Sequence, residues 1–244
     1  SCATCPTDCQ GKCATFSQPS PTFFTGSQAG YSVTLGGKAG AVADYFAPDK
    51  ANAVAAMGSS VVVVGQTQAT DFPVTDKSIH TGGWDPFVAV MDSTGKTTAA
   101  TFVETGQSGV DDAAHSVAVH GSYIFVAGTF SVARFSLSGN KLIRDSGFPA
   151  GGGFHYTNCR GIDVDAAGGV YLGCDNGVYK ISAAGATAYK NAALDAVDVT
   201  VDDAGNVFAA TGQSVKRLGA NGNVLATTSV NGDVTAVEAA GGAV

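Results

Sequence analysis

Glutamate, leucine, methionine and tryptophan are scarce in this 244-residue chain: two Glu against eighteen Asp, seven Leu against twenty-nine Val, two Met and one Trp. The residues that favour helix surfaces are missing, and strand and turn formers stand in their place, so the chain reads as all-β. Charge is sparse as well, at 14% of residues. The thirteen Lys and Arg are spread from Lys12 to Arg217 without forming a stripe, and the net charge is −7. That balance argues against a nucleic-acid or anionic-membrane surface. No aliphatic run exceeds Val61–Val64, far below the ~20 residues of a membrane-spanning helix. No basic segment followed by an apolar one opens the sequence at Ser1, so an exported chain would already have lost its signal. There is no Asn-x-Ser/Thr sequon, which excludes N-glycosylation. What is abundant is apolar and small: 45% hydrophobic residues and 33 Gly, enough for a sizeable core and for many turns that need positive φ.

One pattern recurs along the chain. An alternating run ends near a polar residue, a Gly-containing turn follows, and a second apolar run ends in small residues. It reads AVAAMGSSVVVVGQT from Ala53, SVAVHGSYIFVAGTF from Ser116, GIDVDAAGGVYLGC from Gly161 and DVTVDDAGNVFAATG from Asp198, with VTAVEAAGGAV from Val234 to Val244 as a fifth copy. Aligning the turn residues Met57, His120, Asp165, Asp202 and Glu238 gives spacings of 63, 45, 37 and 36 residues. Each of the first four copies continues into a second hairpin: DPFVAVMDSTGK from Asp85, SVARFSLSGNK from Ser131, NGVYKISAAGAT from Asn176 and QSVKRLGANGNV from Gln213. Four strands per repeat predict the blades of a β-propeller. The fifth copy lacks its second hairpin, and the segment Tyr31–Phe46 aligns without a gap on Phe87–Phe102, the missing third and fourth strands. The expectation is therefore one propeller of five four-stranded blades over residues 21–244. The two ends of the chain share one blade, closed within one chain or between subunits.

The stretch from Gly65 to Val119 resembles the bacterial propeller repeat known as SBBP. Phe72, Pro73, Thr75, Asp85, Phe87, Asp92, Gly95, Asp111 and Ala113 match its pattern, and the V-D-x-x-G-x-V-Y/F units of residues 161–244 are similar to NHL-type propeller repeats. The resemblance implies an extracytoplasmic platform and no reaction.

Six cysteines fall in two groups. Cys2, Cys5, Cys9 and Cys13 crowd an arm and linker over residues 1–20. A disulfide-stapled knot is one reading of them, since so short a segment has no core of its own; a four-thiolate zinc or iron–sulfur site is the other. Cys159 and Cys174 flank the hairpin built from GIDVD and GGVYLG. Pairing Val164 with Val170 and Ile162 with Leu172 makes the thiols neighbours if one strand bulges near Cys159, which predicts a disulfide. An oxidised set of six implies an extracellular or cell-surface protein.

The remaining candidates are weaker. His80, His115, His120 and His155 show no convergence on an acid, and the i, i+5 spacing of His115 and His120 is poor for a metal on a strand. Asp163, Asp165, Asp202 and Asp203, with Asp111 and Asp112, read as turn residues rather than as a calcium or acid–base set. Gly151–Phe154 lacks the strand-to-helix context of a phosphate loop. The long excursion holding Trp84 is either a contact surface or a cover for the propeller. No catalytic centre, cofactor or resident metal is expected. The favoured function is a structural or adhesive propeller that self-associates into a filament or layer through its arm or terminal strands. The alternative is a ligand- or carbohydrate-binding propeller, with a propeller lyase behind it.

Overall fold

The computed structural model describes residues 35–37, 49–81, 83–105, 111–150 and 158–239. Among these, sixteen strands form four antiparallel meanders in strict chain order. Sheet 1 contains β1 (Lys50–Met57), β2 (Ser60–Thr67), β3 (Asp85–Met91) and β4 (Thr97–Phe102). Sheet 2 contains β5 (Ala114–His120), β6 (Tyr123–Gly128), β7 (Ser131–Ser138) and β8 (Lys141–Arg144). Sheet 3 contains β9 (Cys159–Val164), β10 (Val170–Cys174), β11 (Gly177–Ile181) and β12 (Thr187–Asn191). Sheet 4 contains β13 (Asp198–Val201), β14 (Val207–Thr211), β15 (Ser214–Leu218) and β16 (Val224–Ser229). No helix among the described residues is long and apolar enough to cross a membrane.

The alternation in the sequence decides which face meets which neighbour. Val62, Val64, Val88 and Val90 of sheet 1 pack against Val117, Ile124, Val126 and Phe135 of sheet 2. Phe125 and Val132, on the other face of sheet 2, meet Ile162, Leu172 and Tyr179 of sheet 3. Tyr171 and Val178 meet Val199, Val207 and Leu218 of sheet 4. The first strand of each sheet lies innermost: Ala55, Val117, Ile162 and Val199 line one narrow cavity of about 360 Å³. The sheets therefore radiate from a central channel.

Asp residues ahead of Gly turns in three of the repeats, Asp92 after β3, Asp165 after β9 and Asp202 after β13, do the same work. Asp92 Oδ1 accepts the Thr94 and Lys96 amides at 2.9 and 3.0 Å, Asp165 Oδ1 those of Ala167 and Gly169 at 3.0 and 2.7 Å, and Asp202 Oδ1 those of Ala204 and Asn206 at 3.0 and 2.7 Å. Their carboxyls lie below the ordinary range. For Asp92 the largest cause is the Thr94 hydroxyl, and for Asp202 the Asn206 side chain. For Asp165, burial acts in the opposite direction but is outweighed by the Gly169 amide, Tyr171 and Lys180.

The expected count of five blades is corrected to four sheets among the described residues. The described part of the fifth copy forms no ladder: residues 234–239 run beside β13, Val234 N–H donates to the Gly212 carbonyl at 2.8 Å, and two further amides bond to side chains of β13. Val237 N–H donates to Asp198 Oδ2 at 2.9 Å, and Ala239 N–H donates to Thr200 Oγ1 at 3.3 Å. The preceding pair of inner strands is joined in the same manner, Val201 N–H donating to Asp163 Oδ2 at 2.8 Å. Val201 and Val237 occupy one repeat position, immediately before Asp202 and Glu238. The fifth copy thus stands where a fifth inner strand belongs. A strand becomes part of a sheet only through a laddered neighbour; residues 240–244, and Tyr31–Phe46 apart from Leu35–Gly37, lie outside the described residues. So does the Cys-rich arm.

The long excursion in the first repeat covers the outer edge of sheet 1. Thr75 N–H donates to Ala100 O at 2.8 Å, Ala100 N–H donates to Thr75 Oγ1 at 2.9 Å, and Phe102 N–H donates to Ser78 Oγ at 3.1 Å. Phe72, from the SBBP-like D-F-P-x-T stretch, packs on Phe87 and Phe102 with ring centroids 4.5 and 5.9 Å away.

Candidate functional site

Where the inner strands enter the channel, the molecule opens into a mouth of about 910 Å³. The repeat builds it. Counting five residues back from the hairpin-turn residue of each copy gives Asn52, His115, Arg160, Val197 and Asp233, and all five line the mouth. Five copies of one backbone position converge on one axis, carrying an amide, an imidazole, a guanidinium, an aliphatic group and a carboxylate. Lys216 of β15, Asp195 of the β12–β13 loop and Thr211 add to the wall, and Leu194, Val197 and Val234 supply its apolar part.

His115 is held by a chain of polar groups. Its Nε2 lies 2.9 Å from Asn158 Oδ1, Asn158 Nδ2 donates to Asp175 Oδ2 at 2.9 Å, and Arg160 Nε lies 3.4 Å from Asp175 Oδ1. Because the Asn158 amide gives its N–H to a carboxylate, its oxygen faces the imidazole, and Nε2 must carry the proton. Burial pushes the His115 pKa down, and the Arg160 charge adds to this, with Asn158 and Asp175 acting in the opposite direction. The neutral ring thus keeps Nδ1 as an acceptor. Asn158 adopts φ of +39° and adjoins Cys159, which is bonded to Cys174, next to Asp175. In the register, Val164 faces Val170, Ile162 faces Leu172, and a bulge brings Cys174 opposite Cys159. The disulfide therefore ties together the two residues that orient His115.

Deeper in the channel, Asp163, Asp198 and Glu238 line the inner cavity. Burial raises the Asp198 pKa, and the nearby Asp163 charge raises it further, although the Val237 and Val199 amides pull it down. The other candidates do not meet at either place. His80 lies 3.6 Å from Asp85, His120 sits at the far end of β5 beside Gly168, and His155 is outside the described residues, as are Gly151–Phe154 and Cys2, Cys5, Cys9 and Cys13. Asp111 accepts the Trp84 amide at 3.0 Å and Asp112 the Thr129 hydroxyl at 2.8 Å; Lys50 lies over the Trp84 ring at 4.7 Å. Among the described residues, no group of three His, Cys, Asp or Glu gathers as metal ligands.

A scan of family models finds no match, and neither does a search of curated proteins. Solved structures do match. The WD40 domain of Neurospora crassa Pan2 superposes with a TM-score of 0.52 at 12% identity, over 77% of this chain and 51% of that one. The fold is a β-propeller. The extracellular domain assigned to a one-component system of B. thetaiotaomicron superposes with a TM-score of 0.51 at 12% identity, over 80% of this chain and 25% of that one. The propeller described here spans about half of the first neighbour and a quarter of the second, and at such identities the likeness is one of fold alone.

A second surface of this propeller stands out. Among the described residues no further sheet covers the face of sheet 4 turned away from sheet 3, and a groove of about 440 Å³ runs along it past Phe208, Val215, Ala226, Val230 and Val237. All six residues of β16 are exposed, among them Val224 and Leu225 at 41% and 55%.

Proposed function

We propose that this propeller is a non-enzymatic structural protein of an oxidising, extracytoplasmic setting, and that copies of it associate through sheet 4. The observation that carries this reading is the edge strand β16. An outer strand offers a row of unpaired amides and carbonyls to any passing chain, and proteins ordinarily blunt such edges with charge or cover. Sheet 1 has its edge covered by Thr75 and Ser78. β8 carries Lys141 and Arg144, and β12 carries Lys190. β16 reads VLATTS, without charge or proline, and has no strand beyond it among the described residues. A second copy adding its own strand there extends the sheet by backbone pairing, and the adjoining groove accepts its apolar side chains. The Cys159–Cys174 bond suits the compartment.

The test is the size distribution of the full chain by light scattering and electron microscopy, across concentration. Wild-type protein is expected to associate, and Leu225→Lys with Ala226→Lys to remain monomeric with unchanged circular dichroism. Because each copy carries −7 and the edge is uncharged, association should strengthen as salt screens repulsion. A wild type that is monomeric at every concentration and salt level removes the reading.

A further inference from the structure

The mouth of the channel carries charges of both signs that the fold does not use. Lys216, Asp195 and Asp233 all line it, and none forms an ion pair among the described residues. Arg160, by contrast, is engaged with Asp175. A ligand of one sign would satisfy one set of these groups and be repelled by the other. One cation beside two carboxylates instead complements a molecule carrying a carboxylate and an ammonium together. The neutral His115, fixed in the tautomer that presents Nδ1, is an acceptor for an ammonium N–H. Leu194, Val197 and Val234 form the apolar wall, and among the described residues no Phe, Tyr or Trp ring lines the mouth as a stacking platform for a sugar or nucleobase.

We propose that the mouth binds a small zwitterion of the α-amino acid type with an aliphatic side chain: its carboxylate on Lys216, its ammonium between Asp233, Asp195 and His115 Nδ1, and its side chain against Leu194 and Val234. The site is distinct from the β16 edge and stands or falls without it. Asn158 and Asp175 are positioning residues, since they reach the ligand only through His115.

The probe is L-leucine, titrated into full-length protein with isotopically labelled histidine, the His115 ring signals being assigned from the spectrum of His115→Gln. Saturable movement of those signals is expected. N-acetyl-leucine, which lacks the ammonium, and leucinamide, which lacks the carboxylate, should each bind about tenfold more weakly or worse. In Lys216→Gln the advantage of leucine over leucinamide should disappear while its advantage over N-acetyl-leucine persists; Asp233→Asn should show the converse. Neither substitution should move the far-UV spectrum, because Lys216 is half-buried and Asp233 exposed. Absence of saturable movement up to about 10 mM leucine, or equal binding of the three compounds, overturns the proposal.

Discussion

Asp165 and Asp198 show how one residue type serves opposite ends in this molecule. Asp165 sits at a turn, where two backbone amides, the Tyr171 hydroxyl at 3.0 Å and Lys180 at 3.3 Å all favour the charged form. Its depressed pKa means that it stabilises the fold above the unfolded-state carboxyl pKa, and that this support is lost as pH falls through the folded value. Asp198 faces the channel, where burial and then Asp163 raise its pKa. The sign is reversed: the protonated form is favoured by the fold, and stability declines as pH rises from the unfolded pKa through the folded one. Asp198→Asn keeps an oxygen to accept the Val237 amide but removes the charge. Thermal unfolding should therefore show this variant more stable than wild type at pH 7, with the gap closing below about pH 4. A variant that melts lower at pH 7 would mean that the carboxylate charge itself holds residues 234–239 in place.

Between elements, the linking residues are less legible than the elements themselves. The four-strand repeats are foreshadowed by alternating first runs, apolar second runs such as Val61–Val64 and the Gly turns between them, and the β9–β10 register by Val164, Val170, Ile162 and Leu172. His115 was visible only as an isolated strand histidine, because Asn158 and Asp175 reach it across the seam between sheets 2 and 3. The signal that could have exposed the mouth was the repeat itself, since Asn52, His115, Arg160, Val197 and Asp233 share one register position. Arg134 is a further case. It donates to Asp145 Oδ2 from Nε at 3.0 Å and Nη2 at 2.5 Å, and to the Ala183 carbonyl of sheet 3 at 2.7 Å. Its guanidinium also lies 4.3 Å from the Phe148 ring centre and 4.8 Å from that of Tyr123. Lysine keeps the charge but loses the fork and the stacking, so Arg134→Lys should cost about 1–3 kcal/mol in urea unfolding. The Cys159–Cys174 bond closes a short loop, and replacing both cysteines by serine should cost about 3 kcal/mol on chain-entropy grounds. It should also broaden or shift the His115 ring signals, which a purely global loss of stability would leave in place below the melting point.

At the scale of the whole molecule, a propeller is a closed ring only if its last repeat meets its first. The repeat pattern marks Val234 onwards as a fifth inner segment, but alternation alone does not tell a laddered strand from one held by isolated hydrogen bonds to Gly212, Asp198 and Thr200. Both the mouth and the inner cavity are walled by sheet 1 on one side and by residues 233–238 on the other: Asn52 with Asp233, and Ala55 with Val237. Val237 is the one buried apolar side chain in residues 230–239, and its amide is tied to Asp198. Among the described residues the closure therefore hangs on few contacts, and it should open at a lower free energy than the sheets do. Val237→Ala removes two methyl groups, worth about 1.5 kcal/mol, from the seam alone. Hydrogen exchange should respond locally: amides of β13 and of residues 234–239 exchange faster, while those of β6, β7, β10 and β11, buried between sheets, keep their rates. Uniform acceleration across all four sheets would instead mean that the ring opens only when the whole propeller unfolds, and the closing segment would then belong to the same cooperative unit as the core.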